Sequence, residues 1–153
     1  MAEPDLGILL ALAYQEFVSE LHEDLAERGF GDLARSDGYV FRALDAQPLT
    51  TSALADRLGM TKQGAGQLVE DMTRRGYVES SPDPQDARAR LLRLTARGQN
   101  ALAAARGFHR RYEQRLARRH GRLRVGTVRA VLTAMAPTYG DGALDPRVRA
   151  MYV

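Results

Sequence analysis

The chain has no cysteine, a single lysine and no long apolar run, and each of these scarcities removes a class of explanation. Without cysteine there is no disulfide framework, no CxxC zinc site, no thiol nucleophile and no thiol redox sensor. No apolar stretch approaches the roughly 18 residues that a membrane-spanning helix needs. The N-terminal MAEPDLGILLALAYQEF also lacks a basic segment ahead of its apolar residues, so a secretory signal is not expected and a cytoplasmic location is. No nucleophile–base pair, Gly-rich phosphate loop or HExxH pattern occurs. The expectation is therefore a protein that is not an enzyme, with no catalytic residues and no cofactor.

What is present is a chain of 153 residues, 44% hydrophobic and 27% charged, sized for one compact domain or two small lobes sharing a core. Lys62 is the lone lysine among 22 basic residues, the rest being arginine. The net charge is +3, unevenly spread: residues 1–56 hold 11 acidic and 3 basic side chains, and residues 57–129 hold 17 basic and 6 acidic. A basic half after an acidic third points either to a polyanion partner or to arginines that GC-rich coding has placed on solvated faces.

Residues 5–28 read as an amphipathic helix. Leu6, Leu9, Leu10, Ala13, Tyr14, Phe17, Leu21 and Leu25 recur at spacings of three and four, Pro4 suits the first turn and Gly29 the C-terminal cap. A second helix is expected from Ser36 to Asp45, stopped by Pro48. Next, Thr50 or Thr51 caps a short helix that buries Leu54 and Leu58, and Gly59 turns the chain. Thr61 then caps another helix, with Ala65, Leu68, Val69 and Met72 inward and Gly76 at its end. Two short helices joined by a Gly-containing turn form a helix-turn-helix. YVES and RLLRL follow as β-prone runs around SPDPQDARA, whose prolines make the connection a projecting loop, a β-wing. Thr95 opens a further helix with Leu102, Ala105, Phe108 or His109, Tyr112 and Leu116 on one stripe. After Gly121 a last helix carries Leu123, Val125, Val128, Leu132 and Met135 as far as Pro137.

The expected fold is mainly α: a winged helix-turn-helix with a two-stranded β-wing, flanked by N- and C-terminal dimerisation helices. The divisions are 1–30 for the first arm, 31–95 for the DNA-binding lobe, 96–136 for the second arm and 137–153 for an unassigned tail. Spare apolar stripes at both ends favour an intertwined homodimer, the alternative being that the end helices pack on each other within one chain.

The helix beginning at Thr61 is the candidate reader of a major groove, where Lys62, Gln63 and Gln67 are the side-chain types that contact guanine and adenine edges. Gly64 and Gly66 either permit close approach to the groove or a neighbouring helix, or are tolerated in a helix held by packing. Thr51 and Ser52 sit where hydroxyls and free amides hold a phosphate, or simply cap. Arg74 and Arg75 complement the helix dipole and are read as solvated, the alternative being contact with DNA. In the wing, the Asp86 carboxylate can hold the Arg88 guanidinium and aim it at a minor groove, with Arg90 on a phosphate. The arginines of the long fifth helix are read as solvated or paired with the acidic first helix of a partner subunit.

Residues 54–98, LADRLGMTKQGAGQLVEDMTRRGYVESSPDPQDARARLLRLTARG, resemble the MarR family of bacterial transcription regulators in the order and spacing of the helix-turn-helix, RRGYVE, DPQDAR and LTARG. With the helix placement, the resemblance covers about residues 5–136. It implies a homodimer on an imperfect DNA palindrome, commonly a repressor released by a small phenolic or lipophilic ligand. Asp86 and Arg88 fall on the family's wing Asp and Arg, and residues 61–75 on its recognition helix. Ala87 departs from the second arginine many members carry. The resemblance also implies a ligand crevice between the dimer helices and the winged unit, where Tyr14, Phe17, Tyr39, Phe108 and His109 are the candidates, each equally suited to the core. No metal is expected, because His22, His109 and His120 are far apart in the sequence. The other class of reading is a winged-helix protein-interaction module that binds no DNA.

Overall fold

The computed structural model describes residues 4–86 and 88–136, so the tail 137–153, Pro137 and Ala87 lie outside the described residues. Six helices and one hairpin follow in the order α1 (Leu6–Glu27), α2 (Asp37–Ala46), α3 (Thr51–Leu58), α4 (Lys62–Arg74), β1 (Val78–Pro82), β2 (Arg90–Leu94), α5 (Ala96–His120) and α6 (Arg122–Met135). This is the expected winged helix-turn-helix between helical arms. Thr50 rather than Thr51 caps α3, its Oγ1 accepting the Ala53 amide at 3.2 Å, and Thr61 caps α4 by accepting the Gly64 amide at 3.1 Å. Gly59, at φ 61°, makes the left-handed turn between them.

The strands pair antiparallel from Val78 opposite Leu94 to Pro82 opposite Arg90. Pairing thus runs past the expected YVES to Pro82, which lacks an N–H but ends the ladder. The sequence reading gave no role to Leu49, which bridges Leu92 through paired backbone bonds of 3.3 and 2.8 Å and ties the segment after α2 to the wing. The core lies inside the winged lobe: Val40, Phe41, Leu44, Leu54, Met72, Tyr77 and Leu92 are buried together with Ala101 and Leu102 of α5. At Gly98 a Cβ would lie 2.3 Å from the Tyr77 carbonyl oxygen, so α5 leaves the lobe by backbone contact that only glycine permits.

The arms depart from the expected stripes. Of the first-helix stripe only Leu25 is buried, joined by Val18, whereas Leu6 and Leu9 are exposed, as are Ile8 and Leu12. No residue of α6 is buried. α1 and α6 both pack on α5, as the single-chain alternative expects, yet Leu6, Leu9, Leu123 and Val128 remain exposed. No helix among the described residues is long and apolar enough to cross a membrane.

Candidate nucleic-acid interface

α4 presents one open face. Lys62, Gln63 and Gln67 are exposed, with Glu70 beside them, while Ala65, Val69 and Met72 seat the opposite face in the core. Positions 63, 67 and 70 share a face by helical spacing, so Glu70 joins the face and is a residue the sequence reading passed over. Thr61 is exposed, and its Oγ1 is an acceptor for the cap. Thr51 and Ser52 lie half-buried in the first turn of α3, where the capping oxygen comes from Thr50. The two glycines separate: a Cβ at Gly64 would crowd the capping Thr61 oxygen at 3.1 Å, whereas at Gly66 it would meet nothing within 4 Å. Close packing on a neighbouring helix is therefore not the reason for Gly66.

In the wing the expected Asp86–Arg88 ion pair is corrected. The Asp86 carboxylate accepts the Arg88 backbone amide at 2.9 Å, and its carbonyl accepts the Ala89 amide at 2.9 Å. An Asp at this turn reaches the backbone two residues on more easily than a side chain across it. Among the described residues no ion pair holds the Arg88 guanidinium, and the residue is exposed. Arg90, expected on a phosphate, is exposed and spans the hairpin, with Nε donating to Ser80 Oγ at 2.6 Å and Nη2 to the Ser80 carbonyl at 2.7 Å.

The arginines at the C-terminus of α4 also differ from expectation. Arg74 is exposed and pairs with Asp71 at 3.2 Å. Arg75 is not solvated: it is 16% exposed and forks onto Asp37, itself 1% exposed, at 2.7 and 3.3 Å, while also donating to Asp71 at 2.5 Å. These partners, Asp37 foremost, hold its guanidinium well above its ordinary pKa against the opposing effect of burial. A second cluster stands beside it. The Tyr77 hydroxyl donates to Asp32, Arg97 reaches both, and the Arg97 guanidinium lies 4.7 Å from the Tyr77 ring centre. The Tyr77 bond, followed by Arg97, lowers the Asp32 pKa although desolvation opposes it. Sequence reasoning missed Asp32, Asp37, Tyr77 and Arg97, because their pairings span 20 to 65 residues and leave no periodic signal.

Basic residues are not where the charge count suggested. Residues 31–95 carry nine basic and nine acidic side chains, whereas 96–136 carry ten arginines against Glu113. Several α5 arginines are paired within the chain, which corrects the expected pairing with a partner's helix: Arg111 with Asp24 at 2.7 Å, Arg115 with Glu20, and Arg106 with Asp45 at 2.8 Å.

A cavity of about 320 Å³ opens between α1, α2 and α5. Tyr14, Phe17, Tyr39 and His109 line it, as expected of a crevice; Phe108 does not, being buried with its ring 5.6 Å from that of Phe17. His22 faces the same space. Burial lowers the pKa of both histidines, with Arg35 adding for His22 and Arg42 for His109. His22 from α1 and His109 from α5 thus line one cavity. Among the described residues no group of three or more His, Asp or Glu side chains could hold a metal ion.

Comparison with known proteins places this geometry. Residues 32–89 match the sequence model of the MarR family. The transcriptional regulator HosA of Escherichia coli O111:H- is 36% identical over 75 residues, 48% of this chain and 56% of that protein, so the chain matches little more than half of the relative's length. A mutant of S. aureus MepR bound to an oligodeoxyribonucleotide superposes with a TM-score of 0.65 at 22% identity, over 87% of this chain and 96% of that one. The reduced form of MarR from E. coli gives 0.68 at 22%, over 90% and 100%, and YusO from Bacillus subtilis 0.69 at 17%, over 86% and 94%. At such identities the structural likeness is one of fold. The winged lobe of this chain is thus similar to the MarR family over residues 32–89, and the six helices and hairpin share the fold of those structures.

Proposed function

We propose that the protein is a sequence-specific regulator of transcription that binds double-stranded DNA as a homodimer. It works as a repressor, and a small aromatic or lipophilic molecule in the cavity releases it. The observation that carries this reading is the open face of α4, with Lys62, Gln63 and Gln67 unburied on a helix anchored from behind. Such residues on a helix of groove-fitting diameter can take up base edges, Gln most directly with adenine. Thr51, Ser52 and Thr61 approach the phosphates flanking that groove. Arg88, aimed by Asp86 through the backbone, reaches the neighbouring minor groove, and Arg90 offers a phosphate the guanidinium edge that Ser80 leaves open. Arms 1–30 and 96–136 meet those of a second copy, whose apolar faces cover Leu6, Leu9, Val128 and Met135. The cavity, lined by Tyr14, Phe17, Tyr39 and His109, receives the ligand.

Selection of bound duplexes from a random pool tests the reading. Recovery of a palindrome with half-sites about one helical turn apart is expected. Arg88→Ala lowers affinity on every duplex, whereas Gln63→Ala or Gln67→Ala changes the preferred sequence by about 1–3 kcal/mol at one position. Protein that selects no sequence yet retains a protein partner after charge reversal at Lys62 and Arg88 would instead be an interaction module.

A further inference from the structure

The wall of the cavity and the end of the reading helix share one ion pair. Asp37 lines the cavity at the start of α2, in company with Leu33, Ala34, Arg35 and Gly38. Its carboxylate accepts the Ala34 amide at 2.8 Å and both Nη atoms of Arg75 at 2.7 and 3.3 Å. Arg75 is the residue that ends α4, and it also donates to the Asp32 carbonyl at 2.8 Å in the turn before α2. α4 itself packs on α3 and β1, and the Arg75–Asp37 ion pair ties its end to the cavity wall.

The pair is not built for stability alone. Arg75 Nε is buried and makes no hydrogen bond, an unmade donor that costs about 1–3 kcal/mol. Apolar side chains of similar volume commonly replace buried ion pairs without loss of stability. A fork of two parallel bonds also has little tolerance for displacement: once the carboxylate turns, both are lost, which gives the tie two discrete states.

The geometry points to Asp37 and Arg75 as positioning residues through which the filling of the cavity sets the placement of α4 and hence its hold on DNA. This rests on the proposed DNA binding. A molecule seated against the α1–α2 turn presses on the segment that carries Asp37. The carboxylate moves relative to Arg75, and the C-terminal end of α4 loses its register with the lobe. Reciprocity then requires DNA to weaken whatever fills the cavity.

A double-mutant cycle on DNA affinity tests this without a ligand. Ala105 lines the cavity from α5, and Ala105→Trp, with Ala105→Phe as the smaller filler, occupies the space from within. On the selected duplex, either filler is expected to weaken binding about tenfold in the native background, within the usual range of coupling between sites. With Asp37→Asn, or independently Arg75→Lys, the same filler changes affinity less than about twofold. Thermal unfolding of each variant shows that the lobe is intact, and the Arg75→Lys background decides should Asp37→Asn unfold. Equal losses in all backgrounds, or no loss from a filler in a folded protein, would overturn the inference. Native protein that selects no duplex overturns the DNA reading, and the inference with it.

Discussion

The winged lobe and the helical arms follow opposite rules of burial and charge. In the lobe Val40, Leu54, Met72 and Tyr77 are fully buried and acidic and basic side chains balance. In the arms Leu6 is 66% exposed and Leu123 85%, and residues 96–136 are almost uniformly basic. The lobe is complete within one chain, with core, caps and ion pairs all internal. The arms carry apolar area far beyond what scattered surface residues account for, which a second copy would cover. Stability is therefore concentrated in the lobe, while the arms leave apolar residues uncovered within one chain.

Two arginines offer the sharpest break in that comparison. Arg75→Met leaves Asp37 buried and unpaired and should lower unfolding free energy by about 3–5 kcal/mol in denaturant titration. Arg110→Met, on the exposed face of α5, should stay within about 0.5 kcal/mol. Similar losses at both sites would mean that the arms are as finished as the lobe.

Two leucines separate the regions by mechanism. Leu54→Ala, at a fully buried position, should cost about 2–5 kcal/mol at any protein concentration. Leu132→Ser, on the exposed face of α6, should leave the lobe folded but abolish the concentration dependence of the melting temperature. If the native melting temperature is independent of concentration to begin with, the apolar arms are not an interface between copies.

The histidines probe the seam between arm and lobe. Burial holds His22 and His109 below their ordinary value of 6.5, so the folded protein binds these protons less readily than the unfolded chain. Their contribution to stability is full above 6.5 and is lost as the pH falls from there toward the lowered values. Asp24, lowered first by Arg28, and Asp32, lowered first by Tyr77, act only below the carboxylate range and do not confuse this window. Comparing denaturation midpoints near about pH 7.5 and about pH 5.5, His109→Gln should show a smaller acid-side loss than the native chain. An unchanged loss would remove His109 from the account.

Much of this architecture was legible because it is local. Thr61, Gly59 and the period of Ala65, Val69 and Met72 specify α4 from neighbouring residues alone, and LTARG gives the cap of α5. What escaped is non-local. Nothing near Arg75 in the sequence announces a partner at Asp37, and the Gly98 contact depends on how α5 crosses the Tyr77 carbonyl. Amphipathic periodicity marked α1 and α6 as helices but not which residues they bury: Val18 is buried outside the expected stripe, and Leu6 and Leu9 are exposed within it. Charge counting misled for a related reason: pairs such as Arg111 with Asp24 join residues 87 apart and neutralise arginines that the linear count left free.

The smallest expected effect concerns Gly66, where stability and binding should move in opposite directions. Glycine inside an α-helix costs roughly 0.5–1 kcal/mol relative to alanine through the freedom it loses on folding. Around Gly66 a Cβ meets no atom within 4 Å, so Gly66→Ala should recover about that amount in a denaturant titration. Gly64 is the control: its Cβ would press on the Thr61 oxygen that caps the helix, and Gly64→Ala should recover less or nothing. Position 66 follows Gln63 by three residues and precedes Gln67, so its bare backbone lies at the margin of the face proposed to enter the groove. If DNA approaches there, Gly66→Ala weakens binding while the fold becomes firmer. If affinity for the selected duplex is unchanged in the stabilised variant, the glycine has no part in recognition, and the helix simply tolerates it because the lobe behind is strong enough to hold it.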